Sequence, residues 1–430
     1  MASMTNSEIP SNPGPAGRFA PFRYSAYRRY WLGRVVSSAG SAVAPVALAF
    51  AVLHIGGRTS SLGWVLAAAT VPQLLFMLVG GVVADRVSRA RVLVYANLLA
   101  AVSEGAFAVL VLGGVAQVWQ AVTAAFLTGT ASAFIIPANQ GTIKTLVPRP
   151  MIKQATALQR SALNTTKIAG PALAGLLIAI INPGWVLAFN ALSFVLAALI
   201  IGRIKADFPA VKVRSFLADF RHGWREFWSR RWLWYLTAQG SVGVGVWLVA
   251  FQLLGPVYAS QGLGGAKAWG VVAAAFSAGL FIGSLTSVLW SPDRVGFAVS
   301  GNYLAVGLFP LALAVHADVI VLIAAAAIAG FCMDLAIVSW STYRQLRIPD
   351  ELQSRVESYN WIGQLIPVPI GYLGAGFAAD HFGVPAVGAL LAALVVGVAA
   401  VPLASSEVRQ LSIKQVAKSQ ETADTLQPAA

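Results

Sequence analysis

Twelve stretches of about twenty apolar residues follow one another along the chain, and this succession constrains the fold more than any other feature. A helix needs roughly 20 mainly apolar residues to cross the hydrocarbon of a bilayer. The stretches are 30–53, 61–84, 91–113, 117–141, 156–181, 184–202, 232–256, 267–290, 296–315, 318–341, 355–378 and 384–404. Some are separated by only two residues, as at Asn182-Pro183 and His316-Ala317, which calls for tight helical hairpins. The runs are continuously apolar and do not alternate every second residue, so a spanning β-barrel fits poorly. Composition agrees. The chain is 57% hydrophobic and 11% charged, whereas a soluble domain carries about 25% charged residues. A cytosolic enzyme, a disordered chain and a disulfide-held secreted scaffold are excluded. The single cysteine, Cys332, leaves no internal disulfide and no multi-cysteine metal site.

The positive charges fix the expected orientation. Thirty Lys and Arg against sixteen Asp and Glu give a net charge of +14. These charges lie between the apolar runs, so membrane topology, not nucleic-acid binding, accounts for them. With the N-terminus inside, all but Arg58 and Lys267 fall on the cytosolic side, as the positive-inside rule requires. Both termini are therefore expected in the cytoplasm. The first eighteen residues are polar and carry Pro10, Pro13 and Pro15, unlike a signal peptide.

The longest polar interruption, about 203–231, divides the runs six plus six. A weak repeat crosses it. Val65-Leu66-Ala67-Ala68-Ala69-Thr70 resembles Val271-Val272-Ala273-Ala274-Ala275-Phe276, and Asn97-Leu98 precedes Asn302-Tyr303 by 205 residues. The expected organisation is a cytosolic tail (1–29), a six-helix bundle (30–202), a cytosolic linker (203–231), a second bundle (232–404) and a C-terminal tail (405–430). In the linker, Phe216, Phe220, Trp224 and Trp228 recur every fourth residue among arginines, the pattern of an interfacial amphipathic helix that contacts anionic lipid.

Three motifs carry a family resemblance. After the second run stands Gly80-Gly81-Val82-Val83-Ala84-Asp85-Arg86-Val87-Ser88-Arg89-Ala90-Arg91. In the fifth run stands Gly170-Pro171-Ala172-Leu173-Ala174-Gly175, where a proline removes a helix bond beside small residues. Pro349-Asp350-Glu351-Leu352-Gln353-Ser354-Arg355-Val356-Glu357-Ser358-Tyr359-Asn360 leads into the eleventh run. Together they resemble the major facilitator superfamily, in particular its twelve-span drug:proton antiporters of the macrolide-efflux and enterobactin-exporter type. The resemblance implies an all-α polytopic membrane protein of two pseudo-symmetric six-helix bundles. It implies that Gly81, Asp85, Arg86 and Arg89 form a cytosolic gate loop that latches the halves together in the outward-open state, with Arg355 and Glu357 beside it. It also implies that Gly170, Pro171 and Gly175 form an antiporter-type bend. Where such relatives often carry an acid in the first span, this chain has Ser38-Ala39-Gly40-Ser41, and many have Asp where Asn360 stands. Coupling residues must therefore be sought in the chain itself.

A charge at mid-bilayer costs about 2.5–3.5 kcal/mol on insertion scales. Desolvation disfavours the charged form of a carboxyl in general, which makes such groups candidate proton carriers. Glu104, in the middle of the third run, and Asp334, in the tenth, are the candidates. A substrate contact or a helix-packing hydrogen bond is the alternative for each. Lys167 snorkels to the cytosol or pairs with one of these acids, and Arg34 sits at the inner interface or pairs with a nearby acid. Ser38, Ser41, Gln239, Trp247, Gln252, Asn360, Trp361 and Gln364 are candidates for a cavity wall suited to amphipathic substrates. No histidine spacing suggests a metal, and no Walker-type loop suggests ATP use. The expectation is a monomeric secondary exporter of hydrophobic or amphipathic small molecules in a bacterial inner membrane. It would be driven by the proton-motive force without a cofactor, its partners being substrate, protons and lipid. Uptake of a metabolite, a non-transporting scaffold or receptor, and an integral membrane enzyme are the competing readings. The last lacks clustered histidines, paired acids or an activated nucleophile.

Overall fold

The computed structural model describes residues 19–178, 180–204, 228–290, 292–348 and 350–415. The amphipathic positions Phe216, Phe220 and Trp224 of the linker lie outside the described residues, as do most of the two expected tails. The first half holds α1 (Ser25–His54), α2 (Thr59–Arg86), α3 (Arg89–Leu112), α4 (Val118–Leu146), α5 (Ile152–Ile178) and α6 (Pro183–Gly202). The second holds α7 (Arg231–Leu248), α8 (Gly265–Leu289), α9 (Val295–Val306), α10 (Val319–Arg347), α11 (Asp350–Leu365) and α12 (Pro367–Ala404). Helix α7 runs on through a π-helical stretch, Val249–Leu254, into Gly255–Ser260. Among the described residues, ten stretches are long and apolar enough to cross a membrane. Helix α5, with Gln, Arg, Asn, Thr and Lys along its length, is not one of them. The stretch Tyr359–Ala404 is 46 residues long but is broken at Gly383, whose φ of 83° no other residue type adopts cheaply.

The hairpins close by capping. Asn182 accepts the N–H of Gly184 at 2.8 Å while Pro183 opens α6, a position where its missing N–H costs nothing. Asp318 caps α10 through the Val321 N–H at 2.9 Å. Helices of the first half pack mainly on one another, α2 on α4 and α3 and α1 on α6. Those of the second half do likewise, α8 on α10 and α12 on α7. The two sets meet where α2 lies on α12 and α5 on α8. Small residues make these approaches possible, since association in lipid relies on close packing. A Cβ on Gly80 would overlap the Ala133 carbonyl of α4, and one on Gly175 would overlap the backbone of Gly270 in α8. Gly170 is packed as tightly against Ala42 of α1. Gly81, named with the gate loop, faces open space, and its neighbour Gly80 makes the close approach.

Part of the expected C-terminal tail is docked. Beyond α12, Ser406–Arg409 forms a helical turn, and the strand-like residues after it lie along the α8–α9 connection. The Val295 N–H donates to Leu411 O at 3.0 Å, and Ser412 donates its hydroxyl to Asp293 at 2.7 Å.

Candidate functional site

A cavity of about 290 Å³ opens among α1, α2, α3, α4 and α6, with Gln252 and Tyr372 from the second half at its edge. Its walls are mostly apolar, including Leu48, Leu66, Phe107, Leu187 and Phe194. Glu104 is the one formally charged side chain among its lining residues. Its Oε2 accepts a hydrogen bond from Asn190 Nδ2 on α6. Asn190 is 0% exposed, and the Ser193 hydroxyl lies 2.7 Å from its backbone carbonyl and 3.3 Å from its Oδ1. Glycine at position 40 of α1 makes room for this pair: a Cβ there would overlap both Asn190 Oδ1 and Ser193 Oγ. Three helices thus fix the orientation of one carboxyl group.

The rest of the lining is equipped for polar contact. Ser41 is turned back onto Ser37 O at 2.8 Å, and Thr70 onto Leu66 O at 2.9 Å. Gln73 and Ser132 have no protein partner among the described residues. Gln252 accepts the Tyr372 hydroxyl at 3.0 Å. Its place in a π-helical stretch has a local cause. Pro256 has no N–H to offer the Gln252 carbonyl four residues earlier, so the regular ladder is lost there.

The other expected residues are placed elsewhere. Ser38 bonds Thr166 of α5 at 2.9 Å. Lys167 is exposed and Arg34 half-buried. Among the described residues neither makes an ion pair, so the expected pairing of Lys167 with Glu104 or Asp334 is not formed. Asp334 lies in the α8–α10 seam, near Gly283, away from the cavity lining, and its buried Oδ2 has no hydrogen-bond partner among the described residues. Trp247 is not a cavity wall. It is buried within a cluster of Phe251, Phe276 and Phe309, at ring separations of 4.7, 4.3 and 5.5 Å. Asn360 is likewise interior, accepting from Thr237 at 3.1 Å, Gln364 at 3.2 Å and Trp340 at 3.4 Å. Gln239 is buried against Ser300 and Ala399 O. Trp361 is 53% exposed. These polar groups satisfy one another inside the second bundle, which is why they do not line the cavity.

At the gate-loop positions, Arg86 ends α2 and is exposed, and Arg89 opens α3. The side chains of Asp85 and Arg355 lie outside the described ones. Glu357 pairs with Arg344 of its own bundle, and that guanidinium sits 5.1 Å from the Trp340 ring centroid. Arg344 and Asn190 escaped the sequence reading. An arginine at a span end reads as topology, and one asparagine in an apolar helix reads as packing.

The model of the family described as transmembrane secretion effector matches residues 16–427. Macrolide efflux protein A of Streptococcus pyogenes is 22% identical over 392 residues, covering 89% of this chain and 96% of that one. The multidrug efflux pump Tap of Mycolicibacterium fortuitum is 27% identical over 375 residues, covering 82% and 88%. Among solved structures, the nucleoside transporter NupG superposes with a TM-score of 0.67 at 11% identity, covering 88% of this chain and 98% of that one. The D-xylose-proton symporter gives 0.64 at 15% identity, covering 88% and 96%. A helical, multi-pass architecture shared with these transporters, and a family match along nearly its whole length, make the chain a member of the transmembrane secretion effector family of the major facilitator superfamily, a family of transporters and not of enzymes.

Proposed function

We propose that this protein is a secondary active exporter of hydrophobic or amphipathic small molecules, drugs or antibiotics among them, driven by proton antiport. In this reading twelve helices cross a bacterial cell membrane, both termini are cytoplasmic, and two six-helix bundles rock around the cavity. The observation that carries it is Glu104. A single carboxyl group, held by Asn190, stands in an otherwise uncharged cavity whose walls are mostly apolar. Such a group exchanges a proton for a substrate contact, and exchange drives transport only where each ligand binds the two conformations unequally. The efflux function named for the relatives supports export over uptake. Asp334, half-buried in a helix seam, is the second acid of the scheme.

The test uses reconstituted vesicles, a radiolabelled macrolide and an imposed pH gradient. Gradient-driven accumulation that Glu104→Gln removes, with insertion unchanged, supports antiport. Full activity in both Glu104→Gln and Asp334→Asn would remove the two acids from the mechanism, and flux indifferent to the gradient would remove proton coupling altogether.

A further inference from the structure

Within helix α2 the Ser61 hydroxyl accepts the N-cap N–H of Arg58 at 3.2 Å, but no side chain of the helix accepts the Thr59 or Ser60 N–H. Its N-cap residue is Arg58, a side chain with donors and no acceptor. The first backbone N–H groups of a helix have no intrahelical partner and carry the positive end of its dipole. Here the cap comes from the other half of the chain, 321 residues away. Asp380 of α12 accepts the Thr59 N–H on Oδ1 at 3.0 Å and the Ser60 N–H on Oδ2 at 3.2 Å. One carboxylate thus satisfies two orphan donors across the line where the two sets of helices meet.

The surroundings make this contact rigid. A Cβ on Gly63 would stand 2.6 Å from Tyr372 O, and one on Gly376 would stand 3.0 Å from the Ser60 Cα. Trp64 meets Phe377 edge to face at 6.3 Å. Three residues beyond Asp380 the helix breaks at Gly383, so the carboxylate sits on the last turn before a bend. The apolar and glycine contacts hold whatever the charge of Asp380. The cap is the part that separating the bundles must break, because it unpairs two amide donors and a carboxylate at once.

We infer that Asp380 is the gate residue that holds the Thr59 end of the two bundles shut, and that release of the α2 N-terminus from its carboxylate is a step of the transport cycle. The inference rests on the alternating-access reading above. Asp85, the latch residue implied by the signature loop, lies at the far end of the same helix. Helix α2 would then be held at one end by an acid of its partner and at the other by its own acid, in alternation.

The test follows side-dependent access to the cavity and needs no transported solute. In the full chain with Cys332→Ser, a reporter thiol is placed in the cavity by Leu48→Cys. A membrane-impermeant maleimide is then added on the side of the vesicle where a separate Arg58→Cys reporter reacts. Asp380→Ala is expected to raise the alkylation rate of Leu48→Cys from that side by about fivefold, the scale of a charge–dipole contact. Asp380→Asn keeps one acceptor oxygen and is expected to give a smaller rise. Thr59→Pro attacks the same contact from the donor side. Proline is tolerated at the first helical position but has no N–H, and Arg58 already has the extended backbone it needs. It is expected to match Asp380→Asn. Unchanged alkylation in both Asp380→Ala and Thr59→Pro, with Arg58→Cys still labelled, would overturn the proposal. So would a lowered melting temperature with no side-dependent change, since a merely structural cap moves stability alone. A rise in alkylation without any macrolide flux upholds the latch and sinks the exporter reading; normal flux with unchanged alkylation does the reverse.

Discussion

The two halves of the chain share a helical plan but fill it differently. Where the first half is hollow, around Glu104 and Asn190, the second is packed with rings. Trp247, Phe251, Phe276 and Phe309 pack stacked or tilted at 4.3–5.7 Å between ring centroids in its interior. Polar groups differ in the same way. Asn190 turns its amide to a carboxylate that faces open volume, whereas Asn360 is consumed by three donors of its own bundle. The helices recur because the bilayer asks the same of every span; the side chains are free to divide the labour. The first half holds the cavity, and the second contributes Gln252 and Tyr372 to its lining.

This contrast can be broken in several ways. The largest effect is expected at Glu104: Glu104→Gln should cut gradient-driven macrolide transport by about tenfold or more, because the exchangeable proton is gone while the hydrogen bond to Asn190 can persist. Trp247→Ala should act through stability. Emptying the ring cluster should cost about 3–5 kcal/mol, read as a lower melting temperature in detergent, with transport per folded molecule unchanged. Asn190→Ala and Asn360→Ala then separate the halves directly. The first removes the hydrogen bond that orients Glu104 and should shift the pH profile of transport. The second should lower the melting temperature and leave that profile in place. A shift in both profiles would mean that the second bundle takes part in coupling after all.

The smallest effect concerns the docked C-terminal segment. The Ser412 hydroxyl and the Lys414 N–H, with Lys414 and Arg294 nearby, hold the Asp293 carboxyl below the usual carboxylate range. A carboxyl whose folded value is depressed contributes stability above the unfolded value of about 4 and loses it as the pH falls through the lowered one. Docking should therefore be intact at neutral pH and loosen only in acid, seen as faster amide exchange at Ile413 and Lys414. Asp293→Asn should remove most of that pH dependence.

The residues that were legible in the sequence are those whose chemistry is costly in lipid. Glu104 stood out because a carboxylate in the middle of an apolar run demands a reason. The runs themselves stood out because hydrocarbon offers no partner to a bare amide, so each crossing writes its length into the composition. Asn190 and Asp380 could not be read the same way. Asparagine is cheap enough to occur in helices as packing, and Asp380 lies beside a turn where acids are ordinary.

What the sequence determined alone was a helical chain that lives in a membrane, with its apolar runs and its stranded acids, because these follow from solvation one segment at a time. Which acid meets a cavity, which asparagine holds it and which carboxylate caps a helix from the opposite half were decided by the tertiary structure. Those are relations between residues 86 and 321 positions apart, and only packing in three dimensions sets the distance between them.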